Sequence, residues 1–181
     1  MWISLCQKLG IISNNTKGQV AMLDTSFLIR LPKEDDPLHK SALEYYQYLL
    51  ENEYILYVST IALAEYCVKG KLDEIPLDNL RVIPFNLDHS AIAGEFASKL
   101  FAAREQGEFK PGHRLIIPND TKIFAQAASL NALYMVTADA ESGKAMKTLF
   151  GKCVFKVQHL DIHKSVSEAF GMLLFSEPET E

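Results

Sequence analysis

Apolar and polar positions along this chain fall into blocks whose lengths favour strand followed by helix, repeated several times. QVAML (19–23) is short and continuously apolar, the pattern of a strand buried on both faces, and a short helical stretch ending near Pro32 follows it. In DPLHKSALEYYQYLLENE (36–53), Leu38, Leu43, Tyr46, Leu49 and Leu50 recur at helical spacing among acids and lysines. YILYVS (54–59), β-branched and aromatic, predicts a second strand, with Ser59 and Thr60 placed to cap the helix IALAEYCVKGK (61–71). LRVIPFNL (80–87) predicts a third extended segment, and Asn86 or Asp88 caps the long helix HSAIAGEFASKLFAAREQ (89–106), which Gly107 ends. GEFKPGHRLIIP (107–118), with its prolines, glycines and basic groups, predicts an exposed loop. A helix NDTKIFAQAASLNA (119–132), a strand LYMVTAD (133–139), a helical turn AESGKAMKTLF (140–150), a strand KCVFKV (152–157) and a C-terminal helix from about Asp161 to Leu174 complete the pattern. Alternation of this kind is what a parallel sheet covered by helices requires.

With 181 residues the chain has the length of one domain, expected over 19–175, after a leader or docking helix at 1–18 and before a disordered tail at 176–181. Hydrophobic residues make up 48% and charged residues 23%, so a folded core is expected. A formal charge of −5 argues against holding nucleic acid by bulk electrostatics. Acids gathered in one cleft, however, attract divalent cations, and a bound metal inverts the local charge. Cys6, Cys67 and Cys153 are widely spaced and odd in number, which suggests neither a disulfide framework nor a cysteine zinc site and fits a reducing cytoplasm. No run approaches the roughly 20 apolar residues of a membrane span.

Four acids stand where an open parallel sheet gathers its ligands, at the carboxyl ends of strands. Asp24 closes the first strand, Asp139 closes the LYMVT strand, Asp120 opens a helix packed on the sheet, and Glu65 lies on a helix that starts where another strand stops. Each interrupts an apolar setting (AMLD, ALAEY, IIPND, MVTAD), where an unpaired carboxylate is costly unless neutralised or coordinated. Oxygen ligands without Cys or clustered His suit Mg²⁺ or Mn²⁺. The bland alternative is local: Asp24 and Asp139 capping the helices that follow, Asp120 favoured by the helix dipole, Glu65 solvated on a helix margin.

The segments LDTSFLIRL, STIALAEY and IIPNDTKIFAQAASLNALYMVTAD, in that order, resemble the PIN domain, and most closely the VapC-like toxin ribonucleases of bacterial toxin–antitoxin pairs. The resemblance spans about residues 19 to 156. It implies a three-layer α/β/α sandwich with a central parallel sheet of about five strands. It also implies an acidic Mg²⁺ or Mn²⁺ site of Asp24, Glu65, Asp120 and Asp139 that is both catalytic and metal-binding, with Ser26 and Thr137 as supporting hydroxyls. Relatives often carry a further Asp after T-x-D, where this chain has TADAESGKA; either Glu141 is the substitute or the site runs on four acids. The implied reaction is metal-assisted hydrolysis of RNA phosphodiester bonds. The implied partners are RNA, an antitoxin protein and a second copy of the chain.

An acidic site needs flanking cations to receive an anionic strand. Arg30, Lys33, Lys69, Lys71, Lys122, Lys144 and Lys147 are candidates, with Lys110, His113 and Arg114 foremost for RNA because their loop leads into Asp120. Tyr45, Tyr46 and Tyr48 are expected to pack their helix rather than stack on bases. The apolar VSEAFGMLLF (166–175) either covers an interface or packs on its own domain. Two rival functions stay open: a PIN-like scaffold without catalysis, and a Mg²⁺-dependent phosphatase of the haloacid-dehalogenase type. Against the latter stands Ser26, where the nucleophile motif D-x-D-x-T has its second acid.

Overall fold

The computed structural model describes residues 18–108, 119–153 and 155–171. The expectations for residues 1–17, for the loop carrying Lys110, His113 and Arg114, and for the tail lie outside them.

Five strands, β1 (Val20–Leu23), β2 (Ile55–Ser59), β3 (Arg81–Ile83), β4 (Tyr134–Thr137) and β5 (Gln158–Asp161), pair in parallel in the order β3-β2-β1-β4-β5. Register aligns Leu23 with Val58 on one side and with Val136 on the other, so the ends of the three central strands lie level. Between the strands run α1 (Thr25–Arg30), α2 (His39–Glu51), α3 (Thr60–Tyr66), α4 (Leu87–Glu105), α5 (Asn119–Ser129) and α6 (Ala140–Lys152), and α7 (Val166–Ala169) follows β5. The chain steps from β1 to β3 in one direction and then jumps back to β4 beside β1. Right-handed crossovers therefore put the first three helices on one face and the next three on the other. Helix contacts agree, α1 packing on α2 and α3, and α4 on α5 and α6. This is the expected three-layer α/β/α sandwich.

The core is built where the apolar runs predicted it: Ala21, Met22, Leu23, Phe27 and Leu28 are wholly buried. Beneath α4 and α5, Phe155 meets Phe96 edge to face at 5.4 Å and Phe124 at 6.0 Å. On the opposite face Phe170 lies 4.2 Å from the Tyr48 ring and 5.6 Å from Tyr134, so the described part of the apolar C-terminal stretch packs on its own domain. Tyr45 and Tyr46 are buried as expected of packing residues.

Three boundaries differ from the sequence pattern. The expected strand at 152–157 is instead β5 at Gln158–Asp161, because the ladder to β4 begins at Tyr134 opposite Gln158; buried Phe155 and Val157 are an extended lead-in. The strand expected over 80–87 stops at Ile83, since Pro84 has no N–H for a ladder and Leu87 already belongs to α4, capped by Asn86. In place of a helix from Asp161, the chain turns on Asp161, whose Oδ1 accepts the His163 N–H at 3.0 Å, and α7 starts only after Ser165. Among the described residues no helix is long and apolar enough to cross a membrane.

Candidate active site

The strand order reverses between β1 and β4, and the crevice beyond their carboxyl ends is the switch point of the sheet. Asp24 leaves β1 there. Its side chain makes no capping bond to α1. Instead its Oδ2 accepts the Thr137 hydroxyl at 2.7 Å and the Ser26 hydroxyl at 2.8 Å. Those hydroxyls in turn accept backbone N–H groups, Thr137 from Asp139 and Ser26 from Ala138, each at 2.9 Å. The result is a fixed relay from the β4–α6 turn to one carboxylate oxygen. Burial pushes the Asp24 carboxyl above the usual range, and the hydroxyls of Thr137 and Ser26 oppose that rise.

Asp139 performs the bland role and has capacity left over. Its Oδ1 caps α6 by accepting the Glu141 N–H at 2.9 Å, while its Oδ2 accepts the Ser142 hydroxyl at 3.3 Å. The same hydroxyl lies 3.3 Å from Oδ2 of Asp120, in the first turn of α5. A single buried serine thus stands between two carboxylates. Glu141 turns its Oε1 to Lys144 at 2.5 Å.

Glu65 is held at both oxygens by neutral donors, Thr25 Oγ1 at 2.5 Å and Asn119 Nδ2 at 2.7 Å. Its helix is anchored from below. Ser59 caps α3 by accepting the Ile61 N–H, and donates to the fully buried Gln126 of α5, whose amide reaches the Ile83 carbonyl at 3.1 Å. α3 and α5, carrying Glu65 and Asp120, are therefore tied together at two points.

Asp120 registers the gathering electrostatically. Its carboxyl is pushed up from 3.8 to about 7, first by burial and then by the negative charges of Asp24, Asp139 and Glu65. Acids far apart in sequence so act on one another at one end of the sheet. Oxygen donors with excess negative charge are the chemistry that a hard divalent cation neutralises. Among the described residues, no three His, Cys, Asp or Glu side chains converge closely enough to form a ready metal cage.

Of the basic candidates, Lys122 reaches Asn119 Oδ1 at 3.3 Å and so borders the acids. Lys33 and Lys69 line a cleft of about 730 Å³ beside Glu65, and Arg30 holds the Ser26 carbonyl at 2.6 Å. Sequence reasoning missed three contacts: Thr25 and Asn119 on Glu65, and Ser142 between Asp120 and Asp139. Thr25 and Asn119 had a signal, since each immediately adjoins a singled-out acid. Ser142 had none.

An acid-lined crevice at the switch point of a five-stranded parallel sheet defines the class of protein. The PIN domain family model matches residues 21–145, more than half of the sequence, and the chain belongs to that family. Among solved structures it is similar to VapBC2 from Rickettsia felis bound to a promoter DNA fragment, at 24% identity and a TM-score of 0.52, covering 79% of this chain and 100% of that one. It is also similar to DNA-bound VapBC from Salmonella typhimurium, at 17% identity and a TM-score of 0.50, covering 80% and 98%. These two likenesses concern the fold. No curated protein matches the chain.

Proposed function

We propose that this chain is a metal-dependent endoribonuclease that hydrolyses RNA phosphodiester bonds at Asp24, Glu65, Asp120 and Asp139. In this reading it is the toxin of a toxin–antitoxin pair, active in the cytoplasm as a homodimer and restrained by an antitoxin protein. The observation that carries the reading is the burial of Asp120 within electrostatic reach of Asp24, Asp139 and Glu65, with the Ser142 hydroxyl between it and Asp139, on a PIN fold. Those four would hold Mg²⁺ or Mn²⁺, which when bound supplies concentrated positive charge to the attacked phosphate and acidifies water. The chain's own residues do the rest. Thr25 and Asn119 orient Glu65, Ser26 and Thr137 orient Asp24, and Ser142 sets the spacing of Asp120 and Asp139. Support for a protein partner comes from the cleft beside Glu65, where Ile29 and Val68 are exposed apolar side chains, and from the toxin–antitoxin complexes among the fold's neighbours.

The second reading, a PIN-like scaffold that binds RNA or protein without catalysis, is favoured by the lack of a ready cage among the described acids. A cleavage assay separates the two. Wild-type protein with Mn²⁺ is expected to cut single-stranded RNA, and neither the EDTA-treated protein nor Asp120→Asn should do so. Cleavage by the variant equal to wild type overturns the assignment, and no cleavage of any RNA panel by wild type favours the scaffold.

A further inference from the structure

Alongside the acids lies a second cleft, of about 630 Å³, between α6 and the outer strand β5. It begins next to the acids, since Ala140 and Asp161 line it, and continues along α6 past Lys144 and Lys147 to Phe150. Lys164 enters it from beyond β5. Two acids also line it: Asp161, whose Oδ1 lies 2.7 Å from the His163 ring, and Glu168, which accepts the Ser165 N–H and hydroxyl and lies within electrostatic reach of Lys164. Among the described residues neither Lys147 nor Lys164 is within salt-bridge distance of a carboxylate, so both ammonium groups can reach a ligand in the cleft.

The floor is unusual. His159 lies within electrostatic reach of Lys147, Lys164, Asp161 and Asp139. Its Nε2 is buried without a hydrogen-bond partner, a costly arrangement that folding alone does not reward. Gly143 of α6 lies directly over the ring; a Cβ there would come within 2.5 Å of Cε1. At the far end Phe150 is 63% exposed, a large aromatic face with no core to fill. Ammonium groups outside salt bridges and an exposed aromatic along one groove form the pattern by which proteins hold single-stranded nucleic acid, cations on phosphates and rings on bases.

We propose that the cleft between α6 and β5 is the groove that carries single-stranded RNA to or from the acids, Lys147 and Lys164 on backbone phosphates and Phe150 stacked on a base. The inference rests on the ribonuclease reading for its choice of ligand. It assigns the strand to this face of the molecule rather than to the cleft beside Glu65.

The test is fluorescence anisotropy of a labelled mixed-sequence RNA 12-mer with the full chain in EDTA, where nothing is cut, across a salt series. Lys147→Gln with Lys164→Gln should weaken binding at least ten-fold and lower the slope of log K against log salt by about 1.4, near 0.7 for each lost phosphate contact. Phe150→Ala should weaken binding about five-fold or more without changing that slope. Mn²⁺ binding should stay as in wild type in all variants, which also shows that they fold. RNA affinity and salt slope unchanged in folded variants overturn the groove. Cleavage by the wild type, measured separately with Mn²⁺, decides the ribonuclease reading, so a nuclease that ignores these substitutions refutes the groove alone.

Discussion

Replacing Asp120 by Asn should make the metal-free protein more stable at neutral and alkaline pH, and the amount can be worked from the site. The Asp120 carboxyl ionises near 3.8 in an unfolded chain and at about 7 in the folded one. A carboxyl of raised folded pKa favours folding below the lower value, and that contribution is lost as pH rises through the higher one. The full rise corresponds to about 4 kcal/mol at 1.36 kcal/mol per pH unit. Solvent reaching this partly exposed side chain leaves roughly 2–4 kcal/mol. The neutral amide of Asn removes the charge, keeps the volume and still offers an oxygen to Ser142. Urea denaturation in EDTA should therefore give Asp120→Asn and wild type similar stabilities near pH 4, with the variant ahead by roughly 2–4 kcal/mol at pH 8. Mn²⁺ at pH 8 should reverse the order, because only wild type has the full acid set to bind it. A variant less stable than wild type at pH 8 in EDTA, or a stability difference that does not change with pH, refutes the reasoning that Asp120 faces three like charges.

Asn119→Ala removes the amide that holds Oε1 of Glu65 at 2.7 Å, and should lower Mn²⁺ affinity and cleavage about ten-fold or more, with Asn119→Gln failing to restore them because its longer side chain cannot keep the same geometry. Titration calorimetry and initial rates check this, and unchanged values would show that Thr25 alone positions Glu65. Gly143→Ala forces a methyl group into the His159 ring and should cost about 1–3 kcal/mol in thermal or urea unfolding. An unchanged midpoint would mean that α6 does not rest on that ring.

The buried strands β1, β2 and β4 were legible because short apolar runs that end at an acid or a hydroxyl have few other uses. Two caps were legible for the same local reason, Ser59 before α3 and Asn86 before α4. Errors came where burial and hydrogen bonding part company. KCVFKV is apolar because Phe155 fills the space between Phe96 and Phe124, yet the ladder is made by the more polar QHLD. The four acids were legible as interruptions of apolar settings. What holds them was legible only in part, since donors such as Ser142 are ordinary hydroxyls until the fold aims them. Asp139 shows why a single position cannot be decided locally: one oxygen caps a helix while the other faces Asp120 across Ser142.

The most direct test of the central claim, that four distant acids form one divalent-cation site, is calorimetric titration of Mn²⁺ into wild type and Asp120→Asn at pH 8. The account predicts binding to wild type that the substitution weakens at least ten-fold. Equal binding by the two proteins, or none to wild type, would contradict it.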